Sequence, residues 1–243
     1  MKSASISLCG FLIFCAPAAG AFGQDTEGLR ALLKTVDAVA GQQKVLEIDN
    51  YEVTTQSRVA SSSKWIDMEI TETIQFPDRT RQVFHIGAAE RTQALDGALG
   101  WKRLEGEKTS LSEIQRREME RALFRDTFAI LQHALERSLE VHLAGQEVTS
   151  SDTTLVLEIR GQQGNFFALH LDAVSYLPVK KTYQGGAEVS FAKFTERYSD
   201  YKQVDGIWFP YSIVVETNGE TFIKSVVRQV YFNKKLRPDF FLD

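Results

Sequence analysis

The sequence predicts an α+β protein, mostly β, in which helices cap a curved antiparallel sheet. Residues 188–232 form three long strand-like runs joined by Asp-Gly at 205–206 and Asn-Gly at 218–219, dipeptides that favour two-residue hairpin turns. Residues 64–76 alternate between apolar and polar side chains with a period of two, which is typical of a half-buried strand. Two segments with apolar residues three and four apart precede and interrupt the strands, and these segments predict the helices.

The N-terminus predicts a secretory signal peptide. A lysine precedes the apolar run 6–16, and small residues follow up to 21–23, a sequence that fits a signal peptidase site with cleavage before Gln24. The apolar run is much shorter than the roughly 20 residues that span a bilayer, so we do not expect a retained anchor. We therefore expect residues 1–23 to be removed and residues 24–243 to form a single exported domain.

Composition narrows the chemistry of the exported part. Both cysteines, Cys9 and Cys15, lie in the predicted signal peptide, so the exported part is expected to lack disulfides, thiol catalysis and cysteine metal sites. The remaining length of about 220 residues is enough for one large domain with a hydrophobic core. The whole chain has a formal net charge of −4, and this mild acidity argues against nucleic acid or an anionic membrane surface as the main partner.

The first half of the chain predicts one helix followed by closely spaced strands. The helix covers residues 26–40, ends at Gly41 and has an apolar stripe. The predicted strands are 44–57, 64–76, 80–86, 91–95 and 98–104. Glu69 and Glu72 alternate with apolar residues, and we attribute both to a solvated strand face.

A helical region covering residues 111–143 follows. Ser110 and Glu113 have the spacing of a capping box, and the phase of the apolar stripe shifts between Arg125 and Thr127, which indicates two helices or a kink. The strands that follow are predicted at 153–160, 165–171 and 178–184, before the three C-terminal ones.

The sequence offers little sign of catalysis. None of the four histidines has the spacing of a metal site, and no nucleophile elbow or phosphate-binding glycine loop is found. No pair of carboxylates stands out as an acid/base pair for glycoside hydrolysis. The sequence therefore predicts a protein that is not an enzyme and that uses no metal or other cofactor.

Three C-terminal motifs resemble a known family. Asp172-Ala-Val-Ser-Tyr-Leu-Pro178, the run from Tyr198 to Pro210, and the Pro-Asp-Phe-Phe of the last residues are similar to segments of the bacterial lipoprotein-carrier superfamily. This superfamily includes the lipoprotein-sorting protein LolA, its receptor LolB and the regulatory protein RseB. The resemblance implies an open half-barrel, capped by helices, with an apolar cavity between the sheet and the helices.

The resemblance also implies a function and a location. It implies a periplasmic, monomeric carrier of lipoprotein or lipid acyl chains, with an envelope membrane protein as a further partner, whose lid helices and N-terminal helix move apart to admit the ligand. An envelope sensor with the same fold, or a hydrolase or its accessory subunit, is the alternative. The residues expected to line the cavity are apolar residues of the predicted strands, namely Ile70, Ile74, Phe84, Trp101, Phe167, Leu169 and Trp208.

Overall fold

We analysed a computed structural model of the chain, which contains four helices and thirteen strands in the part that it describes. The described residues are 26–62, 64–149, 152–161, 165–185 and 192–243. The predicted signal peptide, and the first residues of the predicted strand that begins at residue 188, lie outside these ranges.

The helices and strands largely follow the predicted order. The helices are α1 (Thr26–Val39), α2 (Gln42–Leu46), α3 (Glu113–Phe124) and α4 (Thr127–Glu136). The strands are β1 (Asn50–Ser61), β2 (Lys64–Gln75), β3 (Arg79–Ile86), β4 (Ala89–Asp96), β5 (Leu99–Leu104), β6 (Glu107–Ser110), β7 (Glu140–Val148), β8 (Thr153–Arg160), β9 (Phe166–Asp172), β10 (Pro178–Gly185), β11 (Ala192–Val204), β12 (Ile207–Thr217) and β13 (Glu220–Phe232).

All thirteen described strands belong to one antiparallel sheet. Their order is β6-β5-β4-β3-β2-β1-β13-β12-β11-β10-β9-β8-β7, so most strands pair with the next strand along the chain. The exception is the pairing of β1 with β13, in which Tyr51 lies opposite Phe232. Strands β6 and β7 form the two edges of the described sheet, and α3 and α4 connect them. The predicted curved, open sheet capped by helices is therefore confirmed.

The two predicted hairpin turns are present. Asp205 and Gly206 have φ angles of 52° and 76°, and Asn218 and Gly219 have φ angles of 51° and 89°. Positive φ at both central positions is the conformation that Asp-Gly and Asn-Gly tolerate at little cost. These turns fix the register of β11, β12 and β13, which form one wall of the cavity described below.

The hydrophobic core fills one end of the concave side. Helix α1 contacts both α4 and β7, and its backbone lies directly on the strand. A Cβ atom on Gly28 would come within 2.9 Å of the backbone nitrogen of Leu143. The fully buried core side chains include Leu32, Val36, Leu131, Leu157, Ile159, Phe167, Leu169 and Leu171. Because side chains fill this end, any open space lies under the other part of the sheet.

The predicted boundaries of two elements in the first half are wrong. Residues 44–46, predicted as the start of a strand, belong to the short helix α2, which follows Gly41 at a φ of 83°. The cap of α3 is Ser112, not Ser110: its hydroxyl accepts a hydrogen bond from the Gln115 nitrogen at 3.2 Å, and the Gln115 side chain accepts from the Ser112 nitrogen. Ser110 instead ends β6, a strand that the sequence did not predict.

The end of the helical region is also shorter than predicted. The break near residues 125–127 is confirmed, but α4 ends at Glu136, where Arg137 adopts a left-handed conformation with a φ of 56°. Residues 140–143 belong to strand β7, so His142 lies on a strand rather than on a helix. The left-handed residue that ends α4 is an arginine and not a glycine, and the sequence therefore carries no stop signal at this point.

Candidate ligand-binding cavity

A cavity of about 900 Å³ lies between α3 and the concave face of the sheet. Strands β1 to β4 form one wall, β10 to β13 form the other, and α3 with the α3–α4 junction covers it. The antiparallel pairing of β1 with β13 joins the two walls. The cavity is thus built from the part of the sheet that α1 and α4 leave unfilled.

Much of the lining is apolar. Strand side chains alternate between the two faces of a sheet, so every second residue lines the cavity in 70–74 of β2 and 213–217 of β12. The apolar residues that line it from the sheet include Val53, Ile70, Ile74, Phe84, Phe194, Phe209, Ile213 and Val215, and Met119, Leu123 and Phe128 line it from the helices. Tyr51, Phe128, Phe209 and Phe232 form an aromatic cluster at the floor, with ring centroids 5.3–6.4 Å apart.

Four of the seven residues predicted to line the cavity do line it: Ile70, Ile74, Phe84 and Trp208. The other three lie elsewhere. Phe167 and Leu169 are fully buried in the core beneath α1 and α4, where the Phe167 ring meets the Phe124 ring edge-on at 6.0 Å. Trp101 lies against the C-terminal tail, since its indole nitrogen donates a hydrogen bond to the Phe241 carbonyl at 2.7 Å. These three residues are not part of the cavity lining.

A polar cluster lies in the second wall, centred on Glu196 of β11. The Tyr183 hydroxyl donates a hydrogen bond to Glu196 Oε1 at 2.7 Å, the Tyr198 hydroxyl donates to Oε2, and Lys181 Nζ lies 3.5 Å from Oε2. Burial alone would raise the pKa of Glu196, but Lys181 and the two hydroxyls outweigh it and lower the pKa. Burial, and then the charge of Glu196, raises the pKa of Tyr183 and of Tyr198. Glu196 is therefore ionised and fully paired.

Asp126 connects the sheet to the helices. It caps α4, its Oδ1 accepting hydrogen bonds from the nitrogens of Phe128 at 2.9 Å and Ala129 at 3.1 Å. Its Oδ2 accepts a hydrogen bond from the Tyr51 hydroxyl at 2.7 Å. Burial raises the pKa of Asp126, although these donors act in the opposite direction. Strand β1 and the α3–α4 junction are thus held together at one carboxylate.

Glu72 is the acid of the lining whose charge is least stabilised by its neighbours. Gln82 Nε2 donates to Glu72 Oε1 at 2.7 Å, and Gln93 Nε2 donates to Gln82 Oε1 at 2.6 Å. Burial, followed by the charges of Asp126 and Glu196, raises the pKa of Glu72 to about 7. The prediction that Glu72 belongs to a solvated face with Glu69 is wrong, because Glu72 shares the concave face with Ile70 and Ile74.

The polar residues of the lining could not be recognised from the sequence, for identifiable reasons. Lys181 and Glu196 lie directly opposite each other on β10 and β11, a pairing that depends on the register of a hairpin with no Asn-Gly or Asp-Gly turn. Arg125 is buried at the junction between α3 and α4, with its guanidinium 3.9 Å from the centre of the Tyr183 ring. The helix break was predicted at this position, but the packing of Arg125 was not.

Within the part of the chain that the structure describes, no group of three or more His, Cys, Asp or Glu side chains is placed to hold a metal ion. None of the described helices has the length and hydrophobicity needed to cross a bilayer.

Comparison with solved structures identifies the architecture. A LolA superfamily protein from Nitrosomonas europaea superposes with a TM-score of 0.62 at 14% identity, over 88% of this chain and 97% of its own. The fold is LolA-like. A DUF1329 family protein from Desulfovibrio piger, at 12% identity, gives the same TM-score of 0.62 over 88% of this chain and 96% of its own. A domain from Vibrio parahaemolyticus, named as a candidate outer membrane lipoprotein-sorting protein, gives a TM-score of 0.57 at 14% identity. The match covers 88% of this chain and 96% of that domain.

At sequence level the LolA-like chain matches no family model and no curated protein. The resemblance predicted from the C-terminal motifs is confirmed for the fold. One of these motifs has a clear structural role: residues 172–178 connect β9 to β10 in a turn held by Asp172. Asp172 Oδ1 accepts hydrogen bonds from the nitrogens of Val174 at 3.2 Å and Ser175 at 2.6 Å. The motif is therefore explained by the LolA-like fold and its turn geometry.

Proposed function

We propose that this LolA-like protein is an exported, periplasmic, non-catalytic carrier that binds lipoprotein acyl chains or another apolar ligand in the cavity. The observation that supports this most directly is the cavity of about 900 Å³ with apolar walls beneath a separate helix. Each methylene group that moves from water into such a site contributes about 0.8 kcal/mol. The solved structures that resemble the chain include a candidate lipoprotein-sorting domain, which is consistent with this proposal.

The size of the cavity suits long hydrocarbon chains. A water molecule occupies about 30 Å³ of liquid, and a methylene group is of comparable size, so the cavity has room for about thirty such groups. That corresponds to one or two long acyl chains. Ligand pockets for small molecules typically have volumes of about 300–1,000 Å³, and this cavity lies at the upper end.

In this proposal α3 is the lid. The fully buried side chains of α3 are Met119 and Leu123, whereas α4 buries five, from Phe128 to Ala134. The remaining surface of α3 carries Glu–Arg pairs such as Glu113 with Arg117, which water solvates equally well in an open state. Helix α1 is packed against β7 and α4 in the core, so we assign the opening to α3 rather than to α1.

A displacement assay tests the carrier proposal. The purified exported chain should bind a neutral, hydrophobic fluorescent dye with saturation, and a lipopeptide or a fatty acid should displace it. Ile70→Trp places a bulky ring in the cavity and should weaken dye binding by about tenfold or more. Glu69→Trp places the same ring on the opposite face of the same strand and should leave binding unchanged. The absence of saturable binding to the unmodified protein would refute the proposal.

One observation favours a second candidate function, a hydrolase. Glu72 is a half-buried acid in the cavity with a pKa of about 7, which is the range of general acid–base catalysts. Its bond to Gln82, which is itself bonded to Gln93, is also the arrangement of an inert buried network. Turnover of ester or glycoside substrates that is lost in Glu72→Gln would establish the hydrolase. If the substrates remain unchanged over many hours, the hydrolase is refuted and the carrier proposal is retained.

A further inference from the structure

Arg125 is a cation buried in the wall of the cavity. Arg125 is only 8% exposed, and in the chain it lies between Phe124, the last residue of α3, and Asp126, the cap of α4. The guanidinium lies 3.9 Å from the centre of the Tyr183 ring, and Arg125 is one of the residues that line the cavity. A buried charge is costly unless it is paired, so the partner of this guanidinium is informative.

Among the residues that the structure describes, no acid lies within 4.0 Å of the Arg125 guanidinium and none of its side-chain nitrogens donates a hydrogen bond. Its charge helps to lower the pKa of Glu196, but Glu196 takes its direct contacts from Lys181 and the two tyrosine hydroxyls. The other cations of the lining differ. Lys181 is paired with Glu196, and Arg91, at the exposed rim, bonds to Gln93. The N–H groups of the Arg125 guanidinium are therefore free to donate hydrogen bonds to a ligand in the cavity. Their planar, forked arrangement matches the two oxygens of a carboxylate.

The acids of the lining are already engaged. Asp126 accepts three hydrogen bonds, Glu196 is held by Lys181 and two tyrosine hydroxyls, and Glu118 is paired with Arg121 at 2.5 Å. Glu72 faces the cavity with a pKa raised to about 7, so about half of it is neutral at neutral pH. The repulsion that an incoming anion would meet is reduced accordingly, while Arg125 remains available to attract it.

We propose that the cavity binds a free long-chain fatty acid, with its carboxylate on the Arg125 guanidinium and its hydrocarbon chain along the apolar walls. This inference rests on the carrier proposal and selects one ligand class within it. Acyl chains attached to a lipoprotein are esters or amides and have no free carboxylate for Arg125. A fatty acid supplies both the apolar chain and a carboxylate that can accept hydrogen bonds from Arg125.

The test compares ligands that differ only in the head group. Myristate and the alcohol of the same chain length are compared for displacement of the hydrophobic dye from the exported protein at about pH 7, where myristate is ionised and about half of Glu72 is neutral. We expect myristate to bind about tenfold more tightly than the alcohol, as one charge-assisted hydrogen-bonded pair provides. Arg125→Met keeps the stem of the side chain over Tyr183 and should bring the ratio close to one, without changing the affinity for the alcohol.

Arg117→Gln is the matched control, since this arginine lies on α3 but points to solvent and pairs with Glu113. It should retain the full preference for myristate. Equal binding of acid and alcohol to the unmodified protein, or a preference that survives in Arg125→Met, would overturn the assignment. If neither ligand displaces the dye, the carrier proposal itself fails, so the two failures are distinguishable.

A second measurement needs no variant and decides the matter if Arg125→Met does not fold. NMR of the unmodified protein with carboxyl-labelled myristate should show contacts between the labelled carbon and the guanidinium protons of Arg125. Contacts to Lys181 or to bulk water alone would contradict the proposal.

Discussion

At the scale of single residues, the carboxyl group of Glu72 makes folding depend on pH. Burial among Ile70, Ile74 and the charges of Asp126 and Glu196 raises its pKa from 4.5 to about 7. The folded protein therefore holds this proton more tightly than the unfolded chain. The stabilisation is complete below about pH 4.5 and is lost as the pH rises from about 4.5 to about 7.

Glu72→Gln should remove this dependence. The amide keeps an oxygen that can accept from Gln82 but carries no charge, so the variant should exceed the parent protein in stability above pH 7 by about 1 kcal/mol. Near pH 4 the two proteins should be equally stable, because Glu72 is then protonated in both states. Urea unfolding at the two pH values measures this, and a difference of the same size at both would contradict it.

Single residues also show how far the sequence could predict the site. The alternation of β2 placed Ile70 and Ile74 on the concave face, and the same parity applies to Glu72, which was misassigned because acidic residues usually face water. Trp101 and Phe167 have the same local pattern as true cavity residues. What separates them is tertiary packing against the C-terminal tail and against Phe124, which local sequence does not encode.

At the scale of elements, one hydrogen bond joins β1 to the start of α4. Tyr51→Phe removes the hydroxyl that donates to Asp126 at 2.7 Å, and it should cost about 1–2 kcal/mol. Asp126→Ala should cost more, since it also removes the cap of α4, which is worth about 1 kcal/mol.

A double-mutant cycle separates these contributions. The Tyr51→Phe change should have little further effect in the Asp126→Ala background, giving a coupling free energy of about 1 kcal/mol by chemical denaturation. Strictly additive losses would show that the bond does not link the strand to the helix.

The contact between α1 and β7 permits no side chain at position 28. A methyl group on Gly28 would lie 2.9 Å from both Leu143 N and Val141 O, so α1 would have to move away from the strand. Gly28→Ala should lower the free energy of unfolding by about 1–3 kcal/mol, although alanine favours helices more than glycine. Thermal denaturation measures this change. Arg30→Ala, on the exposed side of α1, is the control and should leave the stability nearly unchanged. A stabilised Gly28→Ala variant would contradict this packing.

Elements were predictable where local chemistry decides them. The hairpins after β11 and β12 follow from Asp-Gly and Asn-Gly, and the break near residue 125 follows from the shift in the apolar stripe. The end of α4 was not predictable, because the residue in the left-handed conformation there is Arg137 rather than the glycine or asparagine that usually marks a helix end. The short edge strand β6 has four exposed residues and thus no apolar pattern to detect.

At the scale of the whole molecule, the cavity depends on strands that are far apart in sequence. The charge of Glu196 on β11 helps to raise the pKa of Glu72 on β2, on the opposite wall of the cavity. The pairing of β1 with β13 joins these two walls. Turn chemistry predicts the neighbours within each half of the sheet. It contains no information on how the two halves join, so the polar lining of the cavity could not be foreseen.

Export makes a prediction for the entire chain. If the N-terminus is a signal peptide, the protein recovered from the periplasm should begin at Gln24, as N-terminal sequencing or intact mass will show. A lysine-neutralised leader, Lys2→Gln, should slow export without altering the mature product. Recovery of the protein with Met1 still attached, in the membrane fraction, would contradict the predicted cleavage.

The union of β1 with β13 has a consequence for the timing of biogenesis. If the chain is exported, one edge of β1 pairs early with β2, but its other edge waits for β13, the last strand to emerge. Such distant pairing slows folding, because a long loop must close before the contact forms. In an exported chain, the two halves of the sheet could therefore join only after the C-terminal strand has emerged.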